Sequence, residues 1–311
     1  MGRRAAINAK KRNRRIITIS IVVVIVAAVV VLAFVVQLAN NCPNCTYIGK
    51  PVSNSVVSAI KGVSDQTLST IGVPSGVIVP NKITGQTLTS GGKPEVFYLG
   101  GDYCPYCAVE RWSLLIALSH FGNFSGLQYM VSSSTDVNSN SPTFTFSNST
   151  GFTYSSDYVA FVPVEEFDRS GNQIVTLTAD QKNLVTLYDT CPSTGQNGGI
   201  PFVDVANAYA VACGAQTSLS VSGGNWTAIA SQLDNAGSTT AQQLDGAANT
   251  LIAAICNVDG GLPTSVCTQS YATVTLAYAA GGSAAVGGAQ SLTLASQVRE
   301  EPRWTSSTRP S

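Results

Sequence analysis

The hydrophobic pattern divides the chain near its start. From Ile16 to Val36, "IITISIVVVIVAAVVVLAFVV" runs 21 positions without a charge or a proline. At about 1.5 Å per residue that length matches the roughly 30 Å of a hydrocarbon core. The pattern predicts a single transmembrane helix over 16–38. Beyond it the apolar residues come in short, spaced groups. In 39–88, read as a juxtamembrane linker with short helices, Ser53 or Asn54 and then Ser64 or Asp65 stand where helix caps belong. "TSGGKP" at 89–94 is punctuation, and the main domain is expected from there to residue 270.

"EVFYLGG", 95–101, is a continuous apolar run between Pro94 and a glycine pair, the mark of a buried strand. Val109, Trp112, Leu115, Ile116 and Leu118 then repeat at helical spacing and stop near Gly122. "LQYMVSSSTDV" predicts a strand, and "SPTFTFSNSTGFTYSSDYVAFVPVEEF" a β-rich insertion. Asp180 to Tyr188 predicts a short helix. "GGIPFVDVANAYAVACG" predicts a hairpin turning at Ala206–Asn207, and "NWTAIASQL" and "AQQLDGAANTLIAAIC" predict helices. From 271 to 311 the chain becomes rich in small and polar residues, as expected of a low-complexity, disordered tail. Strand, helix, mixed middle and late hairpin together predict an α/β sandwich of thioredoxin type, preceded by one membrane helix.

Charge orients this plan. Residues 1–15 carry seven Lys or Arg and no acid, a basic leader that the positive-inside rule keeps in the cytoplasm. A cleaved signal peptide would have a shorter apolar core and a small-residue cleavage site, which "QLANNC" does not supply. The expected product is a single-pass membrane protein whose main domain lies outside the cytoplasm. Past the leader, 10 Lys and Arg face 17 Asp and Glu, so the remainder is near −7. That balance argues against a nucleic-acid partner, which needs clustered cations. The leader suits the bilayer's anionic lipid instead. Four Asn-x-Ser/Thr triplets, at Asn44, Asn123, Asn148 and Asn225, fit an exported face and carry little weight in so polar a chain.

The candidate chemistry is sulfur. All eight cysteines follow the apolar helix, in a compartment that permits disulfides. Cys104 and Cys107, in "CPYC", stand where the strand gives way to the helix. A helix N-terminus stabilises a thiolate, and Pro105 suits the first turn because its missing N–H is not needed there. Cys104 is the expected nucleophile and Cys107 the resolving thiol, with Pro105 and Tyr106 completing the active-site loop. An inert disulfide and half of a zinc site are the competing readings. Zinc would need "CPNC", 42–45, as its second pair, or the lone His120 near the end of the helix. Ile200-Pro201, entering "FVDV", is the candidate cis-proline that would face the cysteines and present backbone to a substrate peptide. Cys256 and Cys267 flank a turn-rich loop and are assigned a structural disulfide. Cys191 and Cys213 could meet across the hairpin. Cys42 and Cys45 are read as a local or intermolecular disulfide, with a second redox relay near the bilayer as the alternative. No metal and no cofactor is called for.

CPYC is also the glutaredoxin tetrapeptide, although a soluble glutathione-using protein does not match an exported, anchored domain. The wider run "GGKPEVFYLGGDYCPYCAVERWSLLIALSHFGNFSGL", with "SSSTDV", "FVPVE", "IPFVDVANAY" and "DGAANTLIAAIC", resembles the membrane-anchored thioredoxin-like family catalogued as domain of unknown function 929, over roughly residues 53–270. The resemblance implies a thioredoxin-like fold with Cys104, Cys107 and Pro201 in the corresponding places, and no particular substrate. Thioredoxins carry a buried acid six residues before the first active cysteine. Tyr98 stands there, so no proton relay is assigned, although Glu95, Asp102 and Glu110 are near in sequence. The expected activity is thiol–disulfide exchange with exported protein thiols or disulfides, served by a membrane redox partner. The alternative is a non-catalytic binding module with a permanent CPYC disulfide.

Overall fold

A computed structural model describes residues 16–34, 42–191, 194–215, 221 and 223–278. The basic leader, the end of the expected membrane span at 35–38, and residues 279–311 of the expected tail lie outside the described residues. Residues 271–278, expected as the start of that tail, belong to the folded part, with Tyr271 and Ala272 buried in the principal core.

Helix α1, Ile16–Phe34, is long and apolar enough to cross a membrane, and its large aliphatic side chains are exposed along its whole length. A 3₁₀ turn, Pro43–Tyr47, opens the folded part, followed by α2, Asn54–Lys61, and α3, Asp65–Ile71. Ser53 and Ser64 are the N-cap residues of these two helices. The Ser64 hydroxyl accepts from the Thr67 N–H. This stretch, expected as a linker, does not stand apart. Cys42, Val56, Ile60, Val63 and Leu68 are buried in the principal core.

Short strands β1, Asn81–Lys82, and β2, Thr89–Ser90, lead to β3, Lys93–Gly101, which runs directly into α4, Pro105–Ser119. Strands β4, Gly122–Ser125, β5, Gln128–Val131, β6, Pro142–Thr145, and β7, Thr153–Ser156, form two small ribbons outside the main sheet, β4 with β7 and β5 with β6. The "LQYMV" strand therefore belongs to a ribbon. The main sheet resumes with β8, Ala160–Phe167, parallel to β3. Helix α5, Ala179–Tyr188, is closed by a reciprocal Thr178–Gln181 capping box. It precedes the antiparallel hairpin of β9, Phe202–Val205, and β10, Tyr209–Ala212. Ala206 and Asn207 both take positive φ, as a two-residue hairpin turn requires. Helices α6, Trp226–Ala230, α7, Thr239–Val258, and α8, Thr264–Cys267, and the short strand β11, Ala277–Tyr278, are the last elements among the described residues.

The central order is β10-β9-β3-β8, with β1, β11 and β2 as short additions. Alternation along β3 divides its side chains between two cores. Val96 and Tyr98 join the larger core with Val109, Trp112 and Leu115 of α4 and Leu251 and Ile255 of α7. Phe97 and Leu99 join the smaller core with Val164, Phe202 and Leu184 of α5. The molecule is thus a mixed α/β layer structure with α4 and α7 on one face of the sheet and α5 on the other.

Candidate functional site

The site begins with β3 and α4 meeting head to tail. Cys104 is the N-cap of α4, with extended backbone, and Pro105 takes the first helical turn. The Cys107 N–H donates to Cys104 Sγ at 3.2 Å, so the helix end offers the sulfur one of its unpaired donors. The Cys104 thiol donates to the Ile200 carbonyl at 3.6 Å. The Ile200–Pro201 peptide is cis, and Pro201 leads into β9. Two segments almost a hundred residues apart thus meet at one sulfur. Tyr106, within the motif, is 41% exposed, whereas Cys104 retains 4% and Cys107 none. Cys104 is therefore almost sealed from solvent and Cys107 wholly so. Neither is paired in a disulfide.

The environment separates the two thiols. Cys104 is lowered from its ordinary range by the hydrogen bond with the Cys107 side chain, against its own burial, with help from the Cys107 N–H and the Arg111 charge. Cys107 is raised well above its ordinary range by burial and by the same sulfur–sulfur interaction. A lowered thiol in Cys104 and a raised one in Cys107 make Cys104 the better suited of the two to attack first.

Arg111, one turn beyond Cys107, was not singled out from the sequence. It is fully buried and forks onto Glu165 of β8, with Nε and Nη2 donating at 2.8 and 2.7 Å. Nη2 also donates to the Gly101 carbonyl at 2.8 Å and lies 3.7 Å from Asp102. Its guanidinium carbon stands 5.9 Å from the Tyr98 ring centroid. Tyr98 itself is buried with its hydroxyl unpartnered among the described residues. Glu110, also buried, accepts from the Ala215 N–H at 2.8 Å just beyond β10, and burial pushes its carboxyl up to about 7. Burial likewise raises Asp102 to about 7, with the Glu165 charge adding to it and Arg111 opposing. The sequence signal for Arg111 and Glu110 was the charged pair inside the otherwise apolar "AVERWSLLIALS".

The other cysteines meet as three pairs at disulfide distance, each with Cα atoms 5.4 Å apart: Cys42–Cys45, Cys191–Cys213 and Cys256–Cys267. The second of these stands beside the site. A Cβ on Gly199 would run into both of its sulfurs, one residue before Ile200. His120 is the C-cap of α4, at the far end of the helix from Cys104, with its ring 5.8 Å from that of Tyr271.

A family model described as "Domain of unknown function (DUF929)" matches residues 80–257, a span that holds both the motif and the Ile200–Pro201 bond. No curated protein and no solved structure matches the chain.

Proposed function

We propose that this chain, which belongs to the DUF929 family, is a membrane-anchored thiol–disulfide oxidoreductase working through Cys104 and Cys107 on exported proteins. The observation that carries the proposal is the Cys104 sulfur itself. It is held between the first N–H groups of α4 and the carbonyl of the residue before a cis-proline. The central order β10-β9-β3-β8, with the CxxC at the β3–α4 junction, supports a thioredoxin-like sandwich with β4–β7 as its insertion. The apolar helix and the basic leader support an anchored domain facing away from the cytoplasm.

In the direction of substrate reduction, the Cys104 thiolate attacks one sulfur of a substrate disulfide and the other sulfur leaves as a thiolate. Cys107, once deprotonated, attacks Cys104 Sγ in the mixed disulfide and releases the second substrate thiolate. The two electrons gained by the substrate come from the Cys104 and Cys107 thiols, which are oxidised to a disulfide. Oxidation is the same sequence reversed. Arg111 sits close enough to favour the thiolate state of Cys104.

Turnover of a protein disulfide such as that of insulin tests the reading in the full chain. Cys104→Ser is expected to bring the rate down to background, and Cys107→Ser to accumulate the mixed disulfide on Cys104. Undiminished turnover by Cys104→Ser would overturn it. The near-complete burial of both sulfurs favours a second reading, a binding module in which the pair never exchanges. A Cys104–Cys107 bond that stays closed at about −300 mV, where thioredoxin-class pairs are already open, would favour that module.

A further inference from the structure

We infer that Cys42–Cys45 is a second thiol–disulfide exchange site, with Arg169 as the group that stabilises its Cys45 thiolate. Four observations converge on it, and none depends on the chemistry of Cys104. Arg169 Nη2 lies 3.6 Å from Cys45 Sγ. Every other acceptor on that guanidinium is neutral: Nε donates to the Val131 and Ser132 carbonyls at 3.1 Å, and Nη2 to Asn140 Oδ1 at 2.8 Å. Among the described residues no carboxylate lies within ion-pair distance of Arg169, in contrast to Arg111. Cys45 is half-buried, whereas Cys42 is 7% exposed.

A disulfide gains little from a neighbouring cation. A thiolate gains much, because an opposite charge within about 4–6 Å favours the ionised form. The placement of Arg169 therefore favours the reduced pair over the oxidised one. It also assigns the roles in the reverse of their usual order in a CxxC pair, with the second cysteine outermost.

The partner is a protein dithiol. One of its thiolates attacks Cys45 Sγ, the Cys42–Cys45 bond breaks, and Cys42 leaves as a thiolate that takes up a proton. The partner's second thiolate then attacks its own sulfur in the mixed disulfide, and Cys45 departs as a thiolate against Arg169. The dithiol is oxidised to a disulfide and the pair is reduced by the same two electrons.

The site also shares an end of the molecule with the first. Asn140, which touches Arg169, donates its N–H to the Ser133 carbonyl, and the Ser133 N–H donates to the carbonyl of Tyr103, the residue before Cys104.

The test uses the full chain in detergent with Cys104→Ser and Cys107→Ser, so that failure of the first site cannot be mistaken for failure of the second. The protein is equilibrated in graded dithiothreitol redox buffers and alkylated, and each cysteine is read by mass spectrometry. Cys42–Cys45 is expected to open at a less reducing potential than Cys256–Cys267. Arg169→Gln should lower its equilibrium constant for reduction about tenfold, a shift of about 30 mV, and Arg169→Lys should recover part of that. Cys256–Cys267 should stay unmoved in both variants. Opening of Cys42–Cys45 only together with Cys256–Cys267, or a midpoint indifferent to Arg169→Gln, overturns the inference. If Arg169→Gln also moves Cys256–Cys267, the fold has been disturbed. The decision then rests on a single-turnover reaction of a dithiol peptide with the protein that retains Arg169. A mixed disulfide on Cys45 supports the inference, and one on Cys42, or none, overturns it.

Discussion

Arg111 shows how much of the site escapes a reading by motif. CPYC and Ile200-Pro201 are legible because their spacing and flanking elements are local in the sequence. The ion pair behind them joins α4 to β8 across 54 residues, a pairing that only the fold creates. Breaking it should be expensive, because Glu165 would be left buried without its counter-charge. Arg111→Leu is expected to cost about 3–5 kcal/mol in urea denaturation. It should also raise the Cys104 thiol, seen as slower alkylation at neutral pH. If Arg111 served packing alone, stability would fall while the alkylation profile stayed in place. Gly100 is a second silent requirement. A Cβ there would run into the Tyr98 hydroxyl, so Gly100→Ala should destabilise the domain by about 1–3 kcal/mol on the scale of overpacked cores. Tyr98→Phe in the same chain should relieve part of the loss.

At the scale of elements, periodicity gave the correct type in its longest runs and missed the short buried turn Ser270–Thr273. The α4 helix, α5, α7 and the β9–β10 hairpin lie where the spacing of apolar residues puts them. The partners of β4, β5, β6 and β7 were not legible, because alternation marks a strand without saying which neighbour it meets or in which register. The helices after residue 53 were legible as helices, but their packing was not. The tie is Asn249 of α7, buried in a helix interior. Its side-chain amide donates to the Leu68 carbonyl at 2.9 Å and the Gly72 carbonyl at 2.8 Å, closing the C-terminal end of α3. Nothing in "GAANTLIAAI" announces a partner 177 residues away. Asn249→Ala removes both bonds, taking this partner from the Gly72 carbonyl and leaving the Leu68 carbonyl with the Gly72 N–H alone. It should cost about 1–3 kcal/mol and make the 60–75 segment the first to be nicked in limited proteolysis. Cleavage beginning elsewhere, with unchanged stability, would count against this role.

Over the whole molecule, buried carboxyls set the response to pH. Burial pushes Asp102, Glu110, Asp189 and Asp204 up to about 7 and Asp245 to about 8, from unfolded values near 4. Folding therefore takes up protons, and this stabilisation is complete below about pH 4 and lost as the pH rises through 7–8. His120, lowered by its own burial, works the opposite way, adding stability above its unfolded value and losing it as the pH falls. Five acids outweigh one imidazole. The melting temperature is expected to rise by about 5 °C or more between pH 8 and pH 5, and a fall over that range would contradict the assignment. The early packing of Cys42 has a mechanical consequence for an anchored domain. Only eight peptide steps separate it from Phe34 at the end of α1, a leash of at most about 29 Å. On the proposed reading of an anchored exchange enzyme, that reach would limit its clients to those that arrive at the bilayer.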